Sequence, residues 1–405
     1  MSAYSLIIAG SLAIVISHIF NELSKKTNIP SVLMLIALGA GLGYFVEPNR
    51  EAMEQPLEVL GIIGLIMIVL EGALDLELSK DKTGLIKKSV SLAFLGLLGS
   101  MAIIAASLYY VLGIPLITSC IYATPLAVIS SAIVIPSVES LRHDHREFSV
   151  YESCISDILG IMLFYLLVDL ALTSHVMQEL TSFLGTLVLT ILISIVASFG
   201  LVILFKYIKT NVKIFLFIAI LILLYAIQKQ LHLSPLILIL MFGIILKNNQ
   251  LFFRGRFAKF ASRMELRLME RNFHIITRES SFVLRTFFFI VFGFSMNLQM
   301  LLDWKALLLS VVITFFILAV RYVLLRVYNR EGLDPLIYIG PRGLITILLF
   351  YSIPSDIVSG RFPESVLLYV IIFTNVLMAF GLIKAGKGDR AERKLPAAVD
   401  SEPVG

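Results

Sequence analysis

The chain of 405 residues is 58% hydrophobic and only 15% charged, where ordinary soluble domains carry about 25% charged residues, which excludes a soluble globular protein. Its 33 Lys and Arg against 28 Asp and Glu leave a formal net charge of +5, but the cations are distributed in a way that excludes a nucleic-acid footprint. The two cysteines, Cys120 and Cys154, lie inside apolar runs and make neither a disulfide framework nor a metal site.

Apolar runs close to the ~20 residues of one membrane-crossing helix recur along the whole length. Thirteen spans are read, at roughly 4–21, 31–46, 58–76, 89–112, 114–136, 150–172, 183–205, 212–228, 233–246, 281–299, 304–327, 335–352 and 365–384, so the expected fold is an all-α polytopic membrane protein. Span one holds His18 and lacks a positive leader, so it reads as a retained helix rather than a signal peptide. Span three contains MIVLEGALDL and an intramembrane acid, Glu71. Span five contains IYATPLAVIS, with Pro125 in mid-span; the basic loop after it holds His143 and His145, read as ordinary solvated residues.

Span six begins VYESCISDILGIMLFYLLV and carries two acids, Glu152 and Asp157, with Asp169 near its far end. Span seven, 183–205, reads as a linker between a first repeat at about 1–172 and a second at about 212–384. In the long loop before span ten, Phe253, Phe257, Phe260, Met264 and Leu268 recur at helical spacing beside Arg256, Lys259, Arg263 and Arg267. That pattern predicts an amphipathic segment over 251–270 lying on membrane lipid with its cations snorkelling. Span ten brings Arg285 about five residues inside, near enough to an end to snorkel as well. Span twelve contains IYIGPRGLIT, in which Gly340, Pro341 and Gly343 surround Arg342. After the membrane domain, 1–386, comes a short polar tail, 387–405, of disordered composition.

The loops after odd-numbered spans collect the cations, among them Lys25, Lys26, Lys80, Lys82, Lys87, Lys88, Arg142, Arg146, Lys247 and Arg326, whereas those after even spans hold Arg50, Lys229 and Arg361. By the positive-inside rule the N-terminus is outside and the C-terminus cytoplasmic, in the cell membrane.

The two halves share patterns in order. IYATPLAVIS (121–130) matches IYIGPRGLIT (337–346) in Ile, Tyr, Pro and Ile; Asp75-Leu76-Glu77 matches Asn297-Leu298-Gln299; Ser156-Asp157 matches Thr374-Asn375. The offsets are nearly equal, and the charge-derived topology runs each pair in opposite directions, so two inverted six-helix repeats are expected. Pro125 and Pro341 then stand at equivalent positions, and a proline removes a backbone donor and clashes with the preceding turn. Spans five and twelve are therefore expected to be discontinuous, as lipid tolerates only where broken backbone is buried or lines a cavity.

On span six, Ser153 and Asp157 share a helix face at i,i+4, beside a second such pair, Glu152 and Ser156. A carboxylate backed by hydroxyls is oxygen chemistry, suited to a hard monovalent cation or a proton. Asp157 lies about seven residues, roughly 10 Å, from the span's start, toward mid-membrane. Arg342 needs an acid or freed helix-end carbonyls; Glu152 is the candidate acid, as a structural pair joining spans six and twelve. Glu71 either faces the ion or meets a neighbouring polar group.

These motifs resemble those of a known family. ESCISD is similar to the E-S-x-x-N-D stretch of sodium/proton exchangers in the cation/proton antiporter superfamily, NhaP-type branch; GPRGLITILL resembles their G-x-R-G motif, ATPLAVIS their T-D-P segment and VLEGALDL their F-E-G-G stretch. The resemblance implies a homodimeric antiporter that works as an elevator, spans four to six and eleven to thirteen forming the moving core. By position it implies that Asp157 carries Na⁺ and the proton in turn, that Ser153 and Glu71 supply ion-site oxygens, and that Glu152 and Arg342 pair. Ser156 replaces the family's Asn, leaving one carboxylate, which suits electroneutral exchange of Na⁺ or Li⁺ for H⁺ without a cofactor. Ala123 and Thr124 replace the Thr and Asp of T-D-P, so their backbone carbonyls would have to serve the ion. A K⁺/H⁺ exchanger on the same scaffold is the near alternative. A cation channel is the distant one, although no filter repeat is present, and an intramembrane enzyme has no Ser/His dyad to support it.

Overall fold

The computed structural model describes residues 3–27, 29–45, 50–79, 81–139, 141–172, 176–208, 213–231, 235–253, 263–296, 302–328 and 334–392. All regular structure among them is helical, as it must be in hydrocarbon, where each helix satisfies its own backbone. In chain order the helices are α1 (Ala3–Thr27), α2 (Ser31–Phe45), α3 (Arg50–Asp75), α4 (Thr83–Leu112), α5 (Leu116–Ala127), α6 (Ser131–Ser137), α7 (His143–Leu172), α8 (Val176–Tyr207), α9 (Lys213–Gln230) and α10 (Pro235–Lys247). There follow α11 (Asn249–Phe252), α12 (Arg263–Ser295), α13 (Trp304–Tyr328), α14 (Leu344–Tyr351) and α15 (Ser365–Glu392). Among the described residues, six helical segments are long and apolar enough to cross a membrane, and shorter apolar helices accompany them.

The helices pack as two bundles. In the scaffold bundle α12 lies along α2 and α3, α10 joins α3 to α8 and α9, and α1 sits outermost. The approach of α2 to α12 is backbone on backbone: a Cβ on Gly39 would lie 2.1 Å from the Ile290 carbonyl oxygen, and one on Gly293 2.3 Å from that of Ile36. Without a hydrophobic force between helices in lipid, such small-residue contacts supply the dispersion energy that holds them. In the core bundle α4 contacts α5, α7 and α13, α13 contacts α15, and α14 rests on α5. The bundles meet along α3, where Gly64 faces Leu344 of α14 and Gly72 faces the Cys154 thiol of α7.

Both spans with a proline in mid-span, Pro125 and Pro341, are discontinuous. In span five the break falls beyond Pro125: α5 ends at Ala127, residues 128–130 are extended, and α6 restarts at Ser131. In span twelve only turns occupy 334–338, and helix begins at Leu344, after the Gly-Pro-Arg-Gly stretch. Of the segment read as amphipathic, 254–262 lie outside the described residues. At its two ends Met264 and Leu268 are exposed, while Phe253 is buried against Phe199. The last helix runs on to Glu392, into the stretch read as tail, and 393–405 lie outside the described residues.

Candidate functional site

The two interrupted segments cross in the middle of the core bundle and hydrogen-bond to each other, Ser130 N–H donating to the Pro341 carbonyl at 2.9 Å. Each is tied to the helix that follows it in the chain by a hydroxyl-plus-acid or hydroxyl-plus-amide pair. On α7 the Ser156 hydroxyl accepts from Ile129 N–H at 3.0 Å, and Asp157 Oδ2 accepts from Ser131 N–H at 3.1 Å. On α15 the Thr374 hydroxyl accepts from Arg342 N–H at 3.1 Å, and the Asn375 amide donates to the Arg342 carbonyl at 2.9 Å. Unwound backbone leaves donors and acceptors that hydrocarbon cannot satisfy, and these four side chains satisfy them. Gly343 permits the crossing, since a Cβ there would stand 2.4 Å from Ile133 Cδ1 and 2.9 Å from Ser130 Oγ.

The arginine pairing differs from the sequence expectation. Arg342 does not bind Glu152. Its Nε donates to the Leu126 carbonyl at 2.8 Å, Nη2 to that of Ala127 at 3.0 Å, and Nη1 to that of Gly340. These are carbonyls at the end of α5 and beside the second break, which lose their helical partners when the chain unwinds. Glu152 instead takes Arg321 of α13 in a two-pronged pair, Nη1 to Oε1 at 2.6 Å and Nη2 to Oε2 at 2.9 Å, while Arg321 Nε donates to the Leu336 carbonyl at 2.8 Å. The fork geometry of guanidinium and carboxylate favours this partner. Arg321 sits about six residues inside an otherwise apolar run, where snorkelling hides the need for a partner; that intramembrane cation was the signal available. All three groups line a cavity of about 20 Å³, room for about one water and no larger ligand, in keeping with a structural role.

Asp157 is 1% exposed. One of its oxygens is held by Ser131 N–H, the Ser131 hydroxyl stands beside the same carboxylate, and the other oxygen, Oδ1, accepts no hydrogen bond among the described residues. Ser130 Oγ, on the extended segment, is also buried without a partner among the described residues; in the sequence it is only the last residue of IYATPLAVIS, with no charge to mark it. A carboxylate oxygen and a hydroxyl oxygen buried with free lone pairs can accept a proton or a hard cation. Ser153 is fully buried one turn from Asp157, its hydroxyl donating to the Val150 carbonyl at 3.2 Å, which leaves its lone pairs available. Ala123 and Thr124 are not at the break: both lie within α5, where Thr124 donates to the Cys120 carbonyl and its own carbonyl accepts from Val128 N–H. The free backbone is three residues further along, because helical bonding persists through Pro125. Glu71 is buried with Oε2 unbonded, 3.6 Å from Arg285 Nη1. Arg285 is therefore not snorkelling, and it also donates to the Ala132 carbonyl at 3.2 Å.

At the end of the bundles where α3 stops, at the margin of the apolar stretches, polar contacts accumulate. Tyr151 donates to the Glu77 carbonyl at 2.6 Å, Arg278 meets Glu139 at 2.7 Å, and His274 meets Asp75 at 2.9 Å. The Asp75 hydrogen bond raises the pKa of half-buried His274, against desolvation and the charges of Lys247 and Arg278. Lys82 is likewise raised, chiefly by its bond to Glu147. His143 opens α7 rather than lying in the loop before it, and is exposed near Asp144 and Glu147.

Residues 11–384 match the family described as "Sodium/hydrogen exchanger, transmembrane". None of the curated proteins compared with the chain matches it. Among solved structures, the chain is similar to that of the sodium proton antiporter MjNhaP1 from Methanocaldococcus jannaschii at pH 8, with a TM-score of 0.71 and 19% identity over 98% of this chain and 99% of that one. A second structure of the same antiporter, from an electron-microscopy map, gives a TM-score of 0.70 at 19% identity over 100% of both chains.

Proposed function

The chain belongs to the sodium/hydrogen exchanger family and is a multi-pass membrane protein that carries out monovalent cation/proton antiport, and from that premise we propose that Asp157 is the single site at which Na⁺ and the proton are exchanged. The observation that carries this is the free, buried Oδ1 of a carboxylate whose other oxygen is fixed by the broken backbone of span five. Asp157 holds either one proton or one monovalent cation, so each half-cycle carries the same charge and the exchange is electroneutral. Ser130 and Ser153 supply neutral oxygens beside it; Glu71 lends charge from the scaffold side. Ser156 anchors Ile129 rather than the ion. The Glu152–Arg321 pair and the carbonyl-bound Arg342 hold the crossing rigid, so that the site moves as one body.

The core bundle slides against the scaffold along α3, whose contacts there are made by glycines facing apolar side chains, and each position opens Asp157 to one side. The matching ties of Ser156-Asp157 and Thr374-Asn375 to their respective breaks support two inverted halves within a thirteen-span unit. The loop cations support a cytoplasmic C-terminus in the cell membrane, with the Asp75–His274 end facing the cytoplasm. The exposed apolar residues of α1, among them Ile7, Ile8 and Leu12, face lipid or a second copy of a homodimer.

The test is dissipation of a pH gradient in proteoliposomes, titrating Na⁺, Li⁺ and K⁺ separately with and without a clamp on membrane potential. Na⁺-driven dissipation indifferent to the clamp is expected, and Asp157→Asn should abolish it while leaving the protein folded. Wild-type exchange in that variant would overturn the assignment; a response to K⁺ alone would move the substrate to potassium.

A further inference from the structure

Arg285 is a buried charge of the scaffold that the cycle above does not use. It is 8% exposed within α12, and its guanidinium serves both bundles at once. Nη1 lies 3.6 Å from Glu71 Oε2 on α3 and donates across the seam to the Ala132 carbonyl at 3.2 Å. Ala132 follows Ser131, whose N–H holds Asp157. The scaffold arginine is thus two bonds of contact away from the carrier carboxylate, through the restart of span five.

Beyond Arg285, buried side-chain oxygens of α12 and α3 form a row. Thr277 and Ser281 stand two turns and one turn before Arg285 on α12; both hydroxyls are buried, that of Thr277 without a hydrogen-bond partner among the described residues and that of Ser281 beside the Glu71 carboxylate. The row begins at the His274–Asp75 contact, at the end assigned to the cytoplasm. An oxygen-lined row ending in an acid is suited to a hard monovalent cation, yet the acid already faces a guanidinium. Two cations beside one carboxylate repel each other, so an entering ion and Arg285 cannot both be compensated by Glu71.

We propose that Arg285 is a built-in competitor of the transported cation, a positioning residue that neutralises Glu71 and pins the Ala132 carbonyl until an ion entering past Thr277 and Ser281 displaces it. Displacement frees α6 from the scaffold, so loading of the ion and release of the core bundle become one event. The inference rests on Asp157 as carrier. A lysine keeps the charge but has no fork with which to hold two partners, so charge and bridging are separable.

The experiment is Na⁺-driven pH-gradient dissipation by the full chain in proteoliposomes, with KM and kcat determined separately for Arg285→Gln, Arg285→Lys, Glu71→Gln and the double variant E71Q/R285Q. Arg285→Gln should lower the Na⁺ KM by roughly three- to tenfold, the scale of one charge interaction in a medium between protein and water, and lower kcat. Arg285→Lys should return KM toward wild type while kcat stays low. If Arg285→Gln fails to fold, the comparison passes to Glu71→Gln, which leaves Arg285 unopposed and should raise KM several-fold, against E71Q/R285Q, which should bring it back down. An unchanged or raised KM in Arg285→Gln, or equal KM values in the last two variants, would overturn the proposal. Exchange surviving Asp157→Asn would instead overturn the reading beneath it, whatever the Arg285 variants do.

Discussion

The partner of Glu152 can be decided by a double-mutant cycle. Glu152 and Arg321 are 1% and 7% exposed and joined by two bonds of 2.6 and 2.9 Å. Removing one member of such a buried pair costs about 3–5 kcal/mol, because a bare charge is left out of water, whereas replacing both by neutral groups of similar volume is close to neutral. With each single loss at about 3–5 kcal/mol and the double variant near neutral, the coupling between Glu152→Gln and Arg321→Met should exceed about 3 kcal/mol. The bond from Arg321 Nε to the Leu336 carbonyl is lost in both backgrounds and cancels from the cycle. Arg342 makes its bonds to carbonyls, so its coupling to Glu152 is long-range and should stay below about 1 kcal/mol. The natural assay is denaturant unfolding in mild detergent, followed by the fluorescence of the single tryptophan, Trp304, which opens the same helix that carries Arg321. A larger coupling for 152 with 342 than for 152 with 321 would refute the pairing.

Gly343→Ala places a methyl 2.4 Å from Ile133 Cδ1, an overpacking worth about 1–3 kcal/mol, and should depress transport by forcing the crossed segments apart. Ile133→Val removes that Cδ1 atom and should restore part of the transport rate; a neutral Gly343→Ala would show that the close approach is not required. For His274, the pKa in the folded protein lies above its free value because Asp75 accepts its hydrogen bond. Its contribution to stability is thus complete below about pH 6.5 and fades as pH rises through the raised value. His274→Gln should flatten the pH dependence of the unfolding midpoint over that window, and an unaltered pH profile would remove His274 from the account.

Much of this was legible in the chain because the quantities involved are local. The length and apolarity of each run decide whether it can lie in hydrocarbon, and the desolvation of Asp157 or Arg342 follows from their position in such a run, whatever surrounds them. Pro125 and Pro341 likewise announce broken helices through bonds they cannot make. Partner choice is not local. Arg321 is 169 residues from Glu152, and only the packing of α13 and α7 against α4 brings it nearer than Arg342, which the unwound end of α5 draws to its own carbonyls. The same holds for Arg285, which span position alone assigned to the membrane edge and which the meeting of α12, α3 and α6 puts inside. What a buried charge requires is written in its own segment; which group meets the requirement is decided where distant segments touch.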